Sequence, residues 1–179
     1  MYEVELKVRA DHETIKSRLE ESNITVDRAI IQEDTYYNAP HRDFAETDEA
    51  LRIRRQQEQS ADEWEVIVTY KGPLLDEKSK TREEIETHIA DGETFDTTLQ
   101  RLGFTPAATV RKEREYYQLG EYELTLDAVK DVGTFIEIET ETETDIEEAR
   151  EGAYEQLEEL GLDPEDHIQQ SYLGMLLED

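Results

Sequence analysis

The sequence predicts an α+β domain in which an antiparallel sheet curls towards a barrel and helices pack against it. Three observations carry that expectation. Eight segments alternate apolar and polar residues with period two, most links between them are too short for parallel crossovers, and four stretches carry helix caps or helical spacing. The strand candidates are 1–9, 33–38, 50–55, 63–71, 80–88, 109–118, 121–129 and 133–140. In the first, Glu3, Glu5 and Lys7 alternate with Val4, Leu6 and Val8, so the charges share one face and the apolar groups the other. The run from Val110 to Val129 reads as a hairpin turning at Leu119-Gly120-Glu121, and Val132-Gly133 opens the next strand.

Four helices fill the remainder. Asp11 caps one that runs to about Glu21, with Ile15 and Leu19 on its inner face. A second, over 93–102, carries Phe95, Leu99 and Leu102 before Gly103 stops it. The third opens at Thr144 with Glu147 three residues on, a capping-box pattern, and continues through Ala149, Ala153, Leu157 and Leu160 to Gly161. The last takes Asp163 as cap and Pro164 at its first position, then Ile168, Tyr172, Leu173 and Leu176. No linker or repeat divides the chain, so residues 1–179 read as one domain.

Composition excludes several functions. With 47 acidic and 19 basic residues the net charge is −28, which repels nucleic acid and anionic lipid surfaces. Such an acidic excess reads as a densely hydrated, salt-adapted surface; disorder is opposed by the regular apolar periodicity. The absence of cysteine excludes disulfides, thiolate metal sites and a cysteine nucleophile. No apolar run reaches membrane-spanning length and the first residues lack a signal-peptide core, so a cytoplasmic location is expected.

In so acidic a chain the few cations are informative. Lys7, Arg9, Arg52, Arg54, Arg55, Lys71, Lys80, Arg82, Arg111, Lys112 and Arg114 all fall on strand candidates. Their number alone fits cross-strand ion pairing on a wet face equally well. Spacing adds more. Arg52 and Arg54 share a strand face, as do Lys112 and Arg114, while Arg82, Glu84 and Glu86 alternate similarly and Glu137 and Glu139 flank Ile138. If these faces turn inward, the sheet encloses a polar tunnel and its apolar faces pack outward on the helices. Cations in such a lining match phosphate oxygens, and carboxylates elsewhere in it suit Mg²⁺ or Mn²⁺.

Glu3-Val4-Glu5-Leu6-Lys7 fits the ExExK signature of the CYTH superfamily, the triphosphate tunnel metalloenzymes. The ordered series QEDTYYNAP, ALRIRR, VTYKGP, KTREEIE, VRKERE, LTLDAV, VGTFIEIE and SYLGMLL extends the resemblance over essentially the whole chain. It is most similar to the class IV adenylyl cyclase branch, through Asp34-Thr35-Tyr36-Tyr37, Gly133-Thr134-Phe135 and Ser171-Tyr172. The resemblance implies an eight-stranded antiparallel barrel forming a tunnel, with helices outside. It also implies a divalent metal, Mg²⁺ or Mn²⁺, and a triphosphate substrate such as ATP, tripolyphosphate or thiamine triphosphate.

Carried over by motif, Lys7, Arg52, Arg54, Lys71, Lys112 and Arg114 bind phosphates. Arg82 lines the tunnel with Glu84 and Glu86 and reaches phosphate, while Glu3, Glu5, Glu137 and Glu139, with Asp127, supply or support the metal sites. Lys7, Lys71, Arg114 and Asp127 are the candidates for a direct part in catalysis. Cyclisation of ATP to cyclic AMP and pyrophosphate is the expected reaction; triphosphate hydrolysis is the alternative, and a non-catalytic triphosphate- or polyphosphate-binding module is a third. The chain is compatible with a homodimer, and with neither nucleic acid nor membrane as partner.

One departure from the family pattern stands out. Members commonly place a basic residue in or near the last helix, but nothing after Arg150 is basic, so either that contact is missing or another cation such as Lys130 replaces it. The four histidines show no metal-ligand spacing and read as solvated, while Trp64 and Tyr37, Tyr116 and Tyr117 read as packing groups. Tyr36 is retained as a nucleotide contact, and Glu147, Glu148 and Glu151 read as a hydrated helix face.

Overall fold

Alternation along β1 (Tyr2–Arg9) sets the inside and outside of the molecule. Glu3, Glu5 and Lys7 point into a cavity, whereas Leu6 and Val8 join an apolar cluster outside the sheet. Successive side chains likewise alternate between the two faces on β2 (Arg28–Asn38), β3 (Ala50–Glu58), β4 (Glu65–Lys71), β5 (Arg82–His88), β6 (Thr105–Leu119), β7 (Tyr122–Val129) and β8 (Gly133–Thr142). The computed structural model describes residues 1–76 and 78–178. Its strands form a closed barrel in the order β1-β5-β4-β3-β2-β6-β7-β8, with every neighbouring pair antiparallel. The expected inversion holds where helices cover the barrel, on β1, β7 and β8; β2 and β6 instead turn Glu33, Arg111 and Glu113 outward, and Val110, Val129 and Phe135 make one end of the interior apolar.

The helices cover the outer face. α1 (His12–Glu21), capped by Asp11, and α4 (Ile146–Glu159) bury Ile15, Leu19, Ala153 and Leu157 against Leu6, Val8, Leu124, Ile136 and Ile138. α3 (Gly92–Arg101) packs near Tyr37 and Ile53 through Leu99. A short α2 (Phe44–Thr47), capped by Asp43, was not expected from the sequence. α5 (Tyr172–Leu177) lies across one end of the barrel, where Tyr172 and Met175 meet Val110, Val129 and Phe135.

Several expectations need correction. The cap of α4 is Asp145, whose carboxylate accepts from the Glu148 N–H, while Thr142 rather than Thr144 braces the approach. Asp163 and Pro164 open only a 3₁₀ turn ending at Asp166; the helix itself begins after Ser171, whose hydroxyl accepts from the Gly174 N–H. Trp64 precedes β4 and is 51 % exposed, so it is no packing group. Lys130 is exposed at the β7–β8 turn and replaces nothing in the tunnel. Two histidines are also engaged: the His12 ring bonds the Phe135 carbonyl, and the His167 ring accepts from the Lys7 N–H.

The barrel seam is built from three segments. β1 pairs with β8 along its whole length, but with β5 only at Tyr2 and Glu3. Beyond that, the Lys80 N–H donates to the Glu5 carbonyl at 3.0 Å. The Ile168 N–H then donates to the Lys7 carbonyl at 2.8 Å. The edge carbonyls of Glu5 and Lys7 thus find partners, as buried backbone requires.

Candidate active site

Inward alternation from all eight strands converges on one cavity of about 700 Å³. Among the sequence-predicted residues, Glu3, Glu5, Lys7, Arg52, Arg54, Lys71, Arg82, Glu84, Glu86, Lys112, Arg114, Glu137 and Glu139 line it. Asp127 is fully buried behind this wall.

The lining divides into a cationic side and an acidic cluster. On the cationic side Arg54 is held by both oxygens of Asp34, its Nε donating at 2.7 Å and its Nη2 at 2.8 Å. Burial alone would raise the Asp34 carboxyl, but Arg54, with Arg52 and Lys112, holds it well below the usual range. Arg114 is fixed the same way: its Nε donates to Asp127 Oδ1 at 2.6 Å, and its Nη2 reaches both Asp127 and Glu137. These bidentate pairs orient the guanidinium planes before any ligand arrives. Burial, reinforced by Arg114, pushes the Lys112 ammonium down to about 8. Lys7 is lowered by burial and by the neighbouring charge of Lys80; its Nζ lies 3.9 Å from the Tyr172 ring centroid and donates to the Gln170 carbonyl.

The carboxylates fall into two groups. Glu137 belongs to the ion-pair wall, where Arg114 and Lys7 outweigh burial and hold it well below the usual range. Glu84 is paired to Lys71 at 2.9 Å and is likewise lowered, despite burial. Glu3, Glu5 and Glu139 instead place one oxygen each within 4.8 Å of one another. Glu139 is driven well up by burial and by the charge of Glu3, and Glu3 is raised chiefly by burial. Three crowded carboxylates, two of them with their charged forms disfavoured, are what a hard divalent cation would relieve, so these residues fit Mg²⁺ or Mn²⁺.

Arg82 sits at the edge of the lining, donating to the carbonyls of Gly72 and Asp48. Glu86 accepts from the Thr69 hydroxyl and is exposed. Of the tyrosines, Tyr36, Tyr37 and Tyr116 all border the cavity; Tyr37 also packs with Ile53 and Leu99 and donates to Asp96.

Sequence reasoning missed four contributors. Asp34 was visible only as part of the DTYY string, although its alternation with Gln32 and Tyr36 places it inward. Lys80 was counted on a strand, yet it lies on a turn before β5 and still enters the cavity, with Nζ 3.1 Å from Glu5 Oε1. Tyr172 donates its hydroxyl to Asp127 Oδ2 at 2.7 Å and lies under both Lys7 and Lys112. It occupies the place where a basic residue was expected. The fourth, His167, had no sequence signal: its bond to β1 spans the whole chain.

Comparison with known proteins agrees with this architecture. The CYTH domain family matches residues 1–172. A Methanocaldococcus jannaschii protein named "Putative adenylate cyclase" is 39 % identical over 98 % of both chains. The adenylate cyclase CyaB of Aeromonas hydrophila is 28 % identical over 76 % of this chain and 68 % of its own. A solved protein structure from Pyrococcus horikoshii superposes with a TM-score of 0.91 at 44 % identity, covering 98 % of each chain. The chain belongs to the CYTH family. No helix among the described residues is long and apolar enough to cross a membrane.

Proposed function

We propose that the chain is a divalent-metal-dependent enzyme that converts ATP to cyclic AMP and pyrophosphate in its barrel. The observation that carries this is the contact between an acidic triad, Glu3, Glu5 and Glu139, and a wall of buried cations. A binding module for a polyanion needs the cations; it does not need three crowded carboxylates beside them. Whole-length kinship with the M. jannaschii protein supports cyclisation over hydrolysis.

In this reading Arg52, Arg54, Lys112 and Arg114 grip the phosphate chain and hold it straight. The ribose 3′-hydroxyl then attacks the α-phosphorus in line, giving up its proton to solvent, and the bond to the bridging oxygen breaks as pyrophosphate leaves. The charge that develops on the departing pyrophosphate is met by guanidiniums that Asp34 and Asp127 have already oriented, so little reorganisation is needed. Mg²⁺ or Mn²⁺, when bound at the triad, supplies charge neutralisation and nucleophile activation. Enclosure of the wall keeps these contacts effective at high salt.

The test is incubation with ATP, tripolyphosphate and thiamine triphosphate, with Mg²⁺ or Mn²⁺, at high salt. Cyclic AMP with pyrophosphate is expected. Orthophosphate release would replace cyclisation by triphosphate hydrolysis, and tight binding without turnover would leave a binding module. Glu5→Gln and Glu139→Gln should each abolish metal-dependent turnover in folded protein; wild-type rates in either would remove the triad from the site.

A further inference from the structure

Among the described residues, Lys80 is the one tunnel cation whose partner is a member of the acidic triad and whose backbone lies outside the strands. Its ammonium touches Glu5 Oε1 at 3.1 Å, the carboxylate shared with Glu3 and Glu139. Two further ammonium groups share that corner: Lys7, whose charged form Lys80 disfavours, and Lys71, which is paired to Glu3 at 3.0 Å. Glu5 therefore has two claimants, an ammonium and a divalent ion. Two cations cannot share one carboxylate oxygen at short range without strong repulsion.

The turn that carries Lys80 is fixed at its backbone and at the side chains around it. The Lys80 N–H is tied to the Glu5 carbonyl, and the Ser79 and Thr81 hydroxyls bond one another at 2.6 Å in full burial. From outside the barrel, Arg150 on α4 grips Asp76, which also accepts from Ser79. Four methylenes then separate a fixed backbone from a charged tip that lies between the triad and the phosphate wall.

We propose that Lys80 is an exchanging cation: it competes with the divalent metal for Glu5 and, once displaced, turns to the triphosphate. This rests on the triad being the metal site. Its role would explain how one lining serves carboxylates and phosphates in sequence, because metal entry itself releases a positive charge for the substrate. Lys80 acts on the substrate directly, whereas Arg150 and Asp76 are positioning residues.

The decisive measurement is calorimetric titration of wild type, Lys80→Met, Lys80→Arg and Glu5→Gln, first with Mn²⁺ alone and then with tripolyphosphate at saturating Mn²⁺. For Lys80→Met the two affinities should move in opposite directions. Mn²⁺ binding should tighten about tenfold, the order expected from removing one like charge at short range, and tripolyphosphate binding should weaken about tenfold. Lys80→Arg should restore both towards wild type. A purely structural role would weaken both together in Lys80→Met, and unchanged Mn²⁺ affinity would equally overturn the exchange. Failure of the metal site itself looks different: Mn²⁺ would bind neither wild type nor Lys80→Met, or would bind Glu5→Gln as well as wild type, and both proposals would fall.

Discussion

Lys112 shows how far a single side chain can be moved by its surroundings. An exposed lysine titrates near 10.4, but here burial and the neighbouring Arg114 bring it to about 8. The ammonium is thus held against a cost that a phosphate anion would remove. The sign follows directly: below about 8 the group is charged and attracts phosphate, above it the group is neutral and does not. Tripolyphosphate affinity should therefore fall as pH rises through that value, and binding slightly above it should take up a proton. Calorimetry at one such pH in two buffers of different ionisation heat measures that uptake. Lys112→Met should abolish it.

At the scale of elements, α5 does what its sequence does not announce. It is short and carries no cation, yet Tyr172 closes one side of the barrel end. Its ring packs on Phe135 with centroids 5.0 Å apart, its face meets Lys7, and its hydroxyl satisfies Asp127. Tyr172→Ala removes a buried aromatic and a buried hydrogen bond together, so it should cost about 3–5 kcal/mol by denaturant titration. The same variant should weaken tripolyphosphate binding, because Lys7 and Lys112 lose the ring that positions them. The strap before α5 was misread as helix for a plain reason. Asp163-Pro164 is a sound helix start, but Lys7 recruits His167 and Ile168 as edge partners for β1, and that pairing draws the backbone out of the helix.

The whole molecule balances two opposite charge distributions. Its net charge of −28 lies on its surface, while its interior holds a wall of buried cations. Surface repulsion is screened by salt, whereas the enclosed pairs Arg54–Asp34 and Arg114–Asp127 are screened far less. Raising KCl from about 0.1 M to about 2 M should therefore raise the melting temperature, since the Debye length contracts from about 10 Å to a few ångströms. A melting temperature that falls over that range would show that internal pairs, not surface repulsion, dominate the salt response.

The sequence by itself determined the alternation that makes each strand amphipathic, the approximate place of all eight strands, and most of the charged lining. Those properties are local: period two decides which side chains share a face, whatever the partner strand. Ser171-Tyr172 and Asp34 were in view but without roles, and Lys80 was assigned to a strand that begins two residues later. Only the tertiary structure decided which face is inside, which carboxylates gather as Glu3, Glu5 and Glu139, and which become partners of arginine. Glu137 and Glu139 differ by one strand repeat, yet one is held charged by Arg114 and the other is driven towards its neutral form by burial and by the charge of Glu3. That division depends on barrel closure, which brings β1, β7 and β8 together, and on distances between residues far apart in the chain. No periodicity encodes such distances.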